Sequence, residues 1–312
     1  MDRFRFVLYR PLQLVPVLFG ISLVSFVLVQ SIPGDPVRIL LGVRGTAEVI
    51  AKVRAQYGLD EPVLVQYFYF LKNLAEGEFG RSIIYKTPVL SLISTRIAPT
   101  LFLLCYGVLM AVTIAVPLAV TASINRGRWL DALVRSYSTA GLGLPAFWLG
   151  IVLIIVFSLR LGWFPVSGYG RGFFEHLHHL FLPAFTIALA LSPVLIRNLR
   201  ASLLVELEAD HITAARSRGL PERRIFFRHV FRNSLIPTIT LLGVNIGWLI
   251  GGTVVVEQVF SVPGLGSLMV GSIFARDYLV VQAVTLIFAC GVILTNFLVD
   301  VVSVALDPRI VL

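Results

Sequence analysis

The sequence predicts an all-α integral membrane protein with six transmembrane helices, and three observations carry that expectation. The 312-residue chain is 57% hydrophobic and only 14% charged, whereas a soluble domain has roughly a quarter of its residues charged. Its apolar residues gather into six blocks of bilayer length: Leu12–Ser31, Pro99–Ser123, Tyr137–Leu159, Leu180–Ile196, Leu235–Val256 and Val280–Ala305. A hydrocarbon core about 30 Å thick asks for about 20 such residues per helix, because no water is present there to satisfy backbone N–H and C=O groups. Arginines, finally, recur in the short segments on one side of these blocks.

The arginines set the expected orientation. The N-terminus carries Arg3, Arg5 and Arg10, the segment after the second block carries Arg126, Arg128 and Arg135, and eight more lie between Arg197 and Arg232. Short loops obey the positive-inside bias, while a long segment such as 33–98, which holds all three lysines, is translocated regardless of its charge. Both termini are therefore expected in the cytoplasm. The net charge of +9 is topogenic on this reading and needs no nucleic-acid partner. The first block is too long for a signal-peptide core, and Ser31-Ile32-Pro33-Gly34-Asp35-Pro36 lacks a small-x-small cleavage pattern, so it is read as a helix.

The organisation that follows is a cytoplasmic N-terminus with a first span over 1–32, an extracytoplasmic helical insertion over 33–98, and a core over 99–312 with a polar segment at 200–234. In the insertion, Thr46 is suited to cap a helix over 47–57 stopped by Gly58. Pro62 is suited to open a second helix with Leu64, Tyr67, Phe68, Leu71 and Leu74 on one face before Gly77. In the polar segment, a helix from Glu206 to Arg218 would meet Gly219 at a left-handed position, and Pro221 would start a second helix through Arg232. Such a helix-turn-helix offers small residues, Ala209, Ala214 and Ala215, for close approach, and Ile212, Leu220 and Phe226 as apolar anchors within a charged rim. From pattern alone, an amphipathic helix lying among lipid headgroups fits equally well.

Within the blocks, Gly243, Gly247 and Gly251 recur every fourth residue and put three positions without side chains on one face, where a neighbouring backbone of this chain or of a second subunit can approach. Asn245, Glu257 and Asn296 are the polar residues to weigh as pathway or gate candidates; Asp300, toward the cytoplasmic end of the last block, is read instead as a pair with an interfacial arginine. Cys105 and Cys290 sit inside blocks and read as small apolar side chains. Glu175, His176, His178 and His179 are spaced too closely for a tetrahedral site without other ligands, so no metal is expected there.

Several function classes lack their chemistry. There is no His-Glu-x-x-His or Gly-x-Ser-x-Gly pattern for an enzyme. A phosphate-binding loop needs Gly-Lys followed by Ser or Thr, and none of Lys52, Lys72 and Lys86 follows a glycine. An ion-coupled secondary transporter would show inverted halves and charges at the bilayer midplane, which this sequence does not display.

The polar segment resembles the cytoplasmic coupling motif of binding-protein-dependent ABC importer permeases, Glu-Ala-Ala followed by three residues and Gly. Ala214, Ala215 and Gly219 match it, Thr213 stands at the glutamate position, and Leu235-Ile236-Pro237 closes the segment. The peptide/nickel branch of these permeases shows Asp-Tyr-Val then Ala-Arg-Ala-Lys-Gly, to which Asp210-His211-Ile212 and Ala215-Arg216-Ser217-Arg218-Gly219 are similar. The likeness runs nearly end to end: Pro33-Gly34-Asp35-Pro36, Tyr57-Gly58-Leu59-Asp60-Glu61-Pro62, Gly80-Arg81-Ser82, Pro145-Ala146-Phe147-Trp148-Leu149-Gly150, Val254-Val255-Val256-Glu257, Pro263-Gly264-Leu265-Gly266, Arg276-Asp277-Tyr278 and Asp307-Pro308-Arg309 also match. Leu279 replaces a proline that often follows that tyrosine.

The resemblance implies a type I ABC importer permease for dipeptides or oligopeptides, with nickel, glutathione or another small solute as the alternative cargo. It implies a second homologous permease subunit, two cytoplasmic ATPase subunits that use ATP and Mg, an extracytoplasmic solute-binding protein, and surrounding membrane lipid. The chain itself would bind no cofactor and catalyse nothing. The expected ATPase-coupling residues are Glu208, Ala209, Asp210, Ile212, Ala214, Ala215, Arg216, Arg218, Gly219 and Leu220, and the expected location is a bacterial or archaeal cytoplasmic membrane.

Overall fold

A computed structural model describes residues 15–27, 30, 46, 48, 60–82 and 84–306, with the side chains of 300 and 303–306 outside that description. Among these residues all regular structure is helical. Their only β pairing is a single antiparallel bridge between Arg81 and Pro88. Two compact units are distinguished, one built on Ala98–Ser267 with Gly291–Leu312 and the other on Leu8–Ile97 with Leu268–Cys290.

The second unit begins with α1, Val15–Val27, the described part of the first expected span. The cap helix expected over 47–57 lies outside the described residues. Next comes α2, Val63–Ala75, with Pro62 at its N-cap and Gly77 beyond its end at φ 77°. Tyr67 is its one buried residue; its hydroxyl meets Ser22 Oγ at 2.8 Å and its ring packs edge-on to Phe19. The expected apolar face is only partly used, because Leu64 and Phe68 point outward. The periodicity placed five residues on one stripe, but a single 13-residue helix against one partner covers a narrower arc.

Two resemblance motifs far apart in sequence meet in this unit. Ser82, from Gly80-Arg81-Ser82, donates a hydrogen bond to the Asp277 carboxylate of Arg276-Asp277-Tyr278, and the Ile84 N–H reaches the same oxygen at 3.2 Å. Asp277 is wholly buried.

The first unit holds most of the long helices. The long helix α3, Val89–Ile124, contributes residues 98–124 and carries Pro99 and Pro117 inside it. The third expected span is not one helix. It is α4, Trp129–Gly143, and α5, Ala146–Leu153, which continues as a π-helical stretch to Arg160; the two halves are bent by 105°. The cause is written in the sequence Gly141-Leu142-Gly143-Leu144-Pro145. Proline forces Leu144 out of helical geometry and lacks the N–H that would continue the ladder, so Leu144 and Pro145 are extended, at ψ 123° and 136°.

A short α6, Phe173–His179, precedes α7, Phe181–Leu207, the most deeply packed helix. Its residues Ala188, Leu191, Leu195, Leu199 and Leu203 share a core with Ala111, Ala115, Ala119 and Val134. A second core gathers Leu103, Leu153, Leu180, Ile187, Val256 and Phe260. After the short α8, Asp210–Ser217, a continuous helix runs from Glu222 to Val259: α9, Glu222–Ile225, a π-helical turn Phe226–Phe231, and α10, Arg232–Val259. Then follow α11, Leu265–Phe274, and α12, Tyr278–Leu306. Among the described residues, four helices are long and apolar enough to cross a membrane, five if the bent pair counts as one span. Cys105 and Cys290 are free thiols on exposed helix surfaces rather than buried ones.

Candidate functional site

The polar segment between α7 and α9 holds a short helix fixed at both ends. α7 stops at Leu207; Glu208 is still helical in backbone, but Ala209 is extended and accepts the N–H groups of Ile212 and Thr213 at 3.0 and 3.3 Å to open α8. Asp210 in the first turn suits the positive end of the helix. At the far end Gly219 takes φ 75°, and the N–H groups of Gly219 and Leu220 close back onto the carbonyls of Arg216 and Ala215. A left-handed glycine that returns the chain this way ends a helix without the steric cost that a Cβ would bring.

This corrects the expected boundaries. The first helix begins at Asp210, not Glu206, because Glu206–Ala209 form the exit of α7; Pro221 is the N-cap rather than a first-turn residue; and the second helix does not end at Arg232 but runs on to Val259. The apolar anchors are corrected as well. Ile212 is 0% exposed and packs with Leu199, Leu203, Ile225 and Val230, and Ala209, Ala215, Leu220 and Phe226 lie against the same core. Ile212 is thus no part of a free surface: it pins the short helix to its own chain, a burial that contributes about 1.5–3 kcal/mol. What α8 presents outward is Asp210, His211, Thr213, Ala214, Arg216, Ser217 and Arg218.

Polar ties surround the segment. Glu208 pairs with Arg126, Glu206 meets Asn233 Nδ2 at 2.7 Å and His211 Nε2 at 3.0 Å, and Arg216 Nε meets Glu222 at 2.8 Å. Exposed pairs of this kind contribute about 1 kcal/mol at most.

A stronger tie went unseen in the sequence. Asp131, 1% exposed, receives two hydrogen bonds from the Arg200 guanidinium, at 2.7 and 2.8 Å, and one from the Gly127 N–H at 3.0 Å; Arg135 stands 3.6 Å away. This fork joins α4 to α7 about two turns before α7 ends at Leu207. The available signal was a lone acid in the arginine-rich stretch 126–135, four residues before Arg135.

The glycine face is shared unequally. A Cβ at Gly243 would fall 2.1 Å from Val299, and one at Gly247 would touch Val292 at 3.5 Å, whereas nothing lies within 4 Å of Gly251. Gly243 and Gly247 therefore admit this chain's own last helix, and Gly251 is open. Gly243→Val is expected to lower thermal stability in detergent by an overpacking cost of about 1–3 kcal/mol. Gly251→Ala should leave it unchanged or raise it by up to about 1 kcal/mol through helix propensity; equal losses at both positions would contradict this packing.

Of the pathway candidates, Asn245 is half-buried and bonds back to Leu241 O at 2.8 Å, and Asn296 is exposed on α12. Glu257 requires correction. It is 0% exposed, and its carboxylate accepts the Thr100 hydroxyl at 2.6 Å and the Ser267 N–H at 2.9 Å, while the Leu265 N–H reaches Thr100 Oγ1 at 2.8 Å. The side chain is a clasp around the start of α11, not a group facing a cavity. The side chain of Asp300 is outside the described residues. His176, His178 and His179 each engage a backbone carbonyl, of Tyr169, Trp163 and Ser167 respectively, and among the described residues no group of three potential ligands converges. Their role is to hold the 161–172 loop.

The comparisons agree with this architecture. Residues 115–312 match the family described as binding-protein-dependent transport system inner membrane component, and residues 3–91 match its N-terminal counterpart. The glutathione transport system permease protein GsiC of Escherichia coli K12 is 39% identical over 305 residues, 98% of each chain. The oligopeptide transport system permease protein AppB of Bacillus subtilis is 40% identical over 311 residues, again 98% of each. In fold, the chain is similar to the inward-facing MetNI methionine ABC transporter, with TM-score 0.56 and 17% identity over 69% of this chain and 96% of that one. An amino acid ABC transporter gives TM-score 0.54 at 15% identity over 69% and 94%. With nearly its whole length matched, the chain belongs to the family of binding-protein-dependent transport system inner membrane components.

Proposed function

We propose that the chain is one of two permease subunits of an ATP-driven bacterial importer for short peptides, glutathione included. The chain crosses the membrane six times, counting the span that contains α1, with both termini in the cytoplasm; of two ATPase subunits on the cytoplasmic side one binds the α8 segment, and a solute-binding protein delivers cargo from outside. ATP and Mg belong to the ATPases, and this chain is not catalytic. The supporting observation is the pairing of end-to-end likeness to two peptide-type permeases with a short polar helix fixed by Ile212 to the core and closed by Gly219.

The outward residues Asp210, Thr213, Ala214, Arg216, Ser217 and Arg218 form the face offered to an ATPase. Because Ile212 and Leu220 lock α8 to the cores of α7 and α10, displacement of α8 carries those helices with it. A ligand biases only the states it contacts differently; nucleotide-driven closure of the ATPases acts on the permease through this face.

Gly219→Val tests the role of the segment. There is open space around Gly219, so no clash arises, but a β-branched residue at φ 75° costs about 1–3 kcal/mol of strain and distorts the end of α8. Membrane insertion should persist while ATPase copurification or ATP-dependent uptake falls. Full uptake with normal subunit association would reject the coupling role, and solute movement by the purified chain alone in liposomes would reject the importer reading.

A further inference from the structure

Three arginines just past α8 share a groove and hold no counter-charge. Pro221, Arg223, Arg224, Phe227 and Arg228 line an open depression of about 540 Å³, a size in the range of small-ligand sites, about 300–1,000 Å³. Arg223 and Phe227, and likewise Arg224 and Arg228, are four residues apart, so the members of each pair are neighbours on the surface of the helix that runs from Glu222 to Val259. Among the described residues none of the three guanidinium groups takes part in an ion pair or hydrogen bond. Arg216 and Arg200, by contrast, are held by Glu222 and Asp131.

Like charges packed this closely repel one another until an anion joins them. Phe227, which shares the groove, is 58% exposed, and its ring is met edge-on by Phe226 and Phe231 at 5.3 and 6.3 Å. A cationic groove with an outward aromatic ring asks for a ligand charged at one end and apolar at the other.

The level of the groove on the helix points the same way. Arg228 and Arg232 are the last charged outward positions, and Pro237, Thr240, Val244 and Trp248 beyond them carry no charge. Arg232 and Arg228 lie about 4 and 10 Å from Leu235 along the axis, against a headgroup layer about 5–8 Å deep, and an arginine side chain snorkels over the difference. Two protein occupants fit less well. Ile225 and Val230, not the groove residues, join this helix to the core that holds Ile212 of α8, so the groove lies off the face assigned to an ATPase. A second permease of this family brings topogenic arginines of its own to the same level, where they would meet like charge.

We infer that this groove binds an anionic glycerophospholipid, its phosphate held by Arg223, Arg224 and Arg228 and the start of its acyl chains lying against Phe227. Guanidinium forks match phosphate oxygens, and anionic headgroups are recognised by basic pockets at this level. A lipid held here steadies the same helix that Ile225 fixes to α8. The assignment rests on the permease reading only in making this leaflet the cytoplasmic one.

The assembled, detergent-solubilised transporter is titrated with fluorescent phosphatidylglycerol or phosphatidylcholine and followed by anisotropy, for the parent, for Arg228→Gln, and for Arg223→Gln, Arg224→Gln and Arg228→Gln combined. The parent should prefer phosphatidylglycerol, with a preference that shrinks as salt is added. Arg228→Gln should lose about fivefold in affinity for that lipid and the triple variant roughly 100-fold, with phosphatidylcholine binding unchanged. Equal affinity of the parent for the two lipids overturns the assignment whether or not the variants fold, and so does undiminished phosphatidylglycerol binding by either variant. Loss of an ATPase or of the second permease from the purified variants would show the arginines holding a subunit, and overturns it as well. ATP-dependent uptake by the parent is measured in parallel: lipid preference without uptake leaves the groove standing and rejects the permease reading, and uptake without lipid preference rejects the groove alone.

Discussion

Asp131→Ala is expected to lower the stability of the detergent-solubilised protein by about 3–5 kcal/mol, the cost of removing one partner of a buried ion pair and leaving the other charge uncompensated. Asp131 is enclosed, and it binds Arg200 through both carboxylate oxygens while also satisfying the Gly127 N–H. Arg200→Ala should be milder, because Arg135 at 3.6 Å still neutralises part of the carboxylate. The informative variant is the pair Asp131→Leu with Arg200→Met. Replacing both charges by apolar groups of similar size is often neutral, so the double variant should melt well above Asp131→Ala despite carrying one change more. Its melting at or below the single variant would show that the loss in Asp131→Ala does not come from a stranded Arg200 charge. ATP-dependent uptake separates stability from coupling: if the fork only holds α4 to α7, the apolar pair restores transport along with stability.

How much of this was readable beforehand differs by the kind of information involved. Gly219 was legible because a left-handed turn after a helix is a local backbone demand that one residue type meets, and the structure gives it φ 75°. The broken third span is equally local in cause, but Gly141, Gly143 and Pro145 lie inside a block whose overall hydrophobicity matches one continuous helix. Ile212 was assigned to the wrong surface for a different reason. Periodicity says that an apolar residue will be covered, but it does not say by what, and here the cover is the chain's own Leu199, Leu203 and Ile225. Pairings across long separations were not legible at all. Asp131 and Arg200 are 69 residues apart, and Ser82 and Asp277 are 195 apart, so nothing in local composition joins them. Each half of the Ser82–Asp277 contact was nonetheless marked by a resemblance motif. In this contact, residues of two resemblance motifs hold the fold together.

Glu257 and Gly264 make the sharpest case of that kind, and their coupling yields the second large effect. The chain leaves α10 at Val259, turns with the Val262 N–H on Glu257 O at 2.9 Å, and starts α11 against the Glu257 carboxylate. A Cβ at Gly264 would sit 2.3 Å from Glu257 Oε1, so that glycine is required by the carboxylate it faces and not by its φ. Glu257→Ala removes the acceptor used by the Ser267 N–H and the Thr100 hydroxyl, at about 1–3 kcal/mol for each buried group left unmatched. The folded fraction in membranes should fall accordingly. Gly264→Ala should also be harmful, because the new methyl must displace a carboxylate fixed from two sides, at about 1–3 kcal/mol. The two losses should not add. Once Glu257 is alanine the obstacle to a methyl at 264 is gone, so Gly264→Ala should cost little in the Glu257→Ala background, giving an interaction energy of about 1–3 kcal/mol in a double-mutant cycle read from thermal melting. Strict additivity would mean that Gly264 answers to some other constraint, and the clasp at the start of α11 would lose its account. Because the clasp ties α3 through Thr100 to α10 through Glu257, weakening it should also disturb uptake in variants that still assemble.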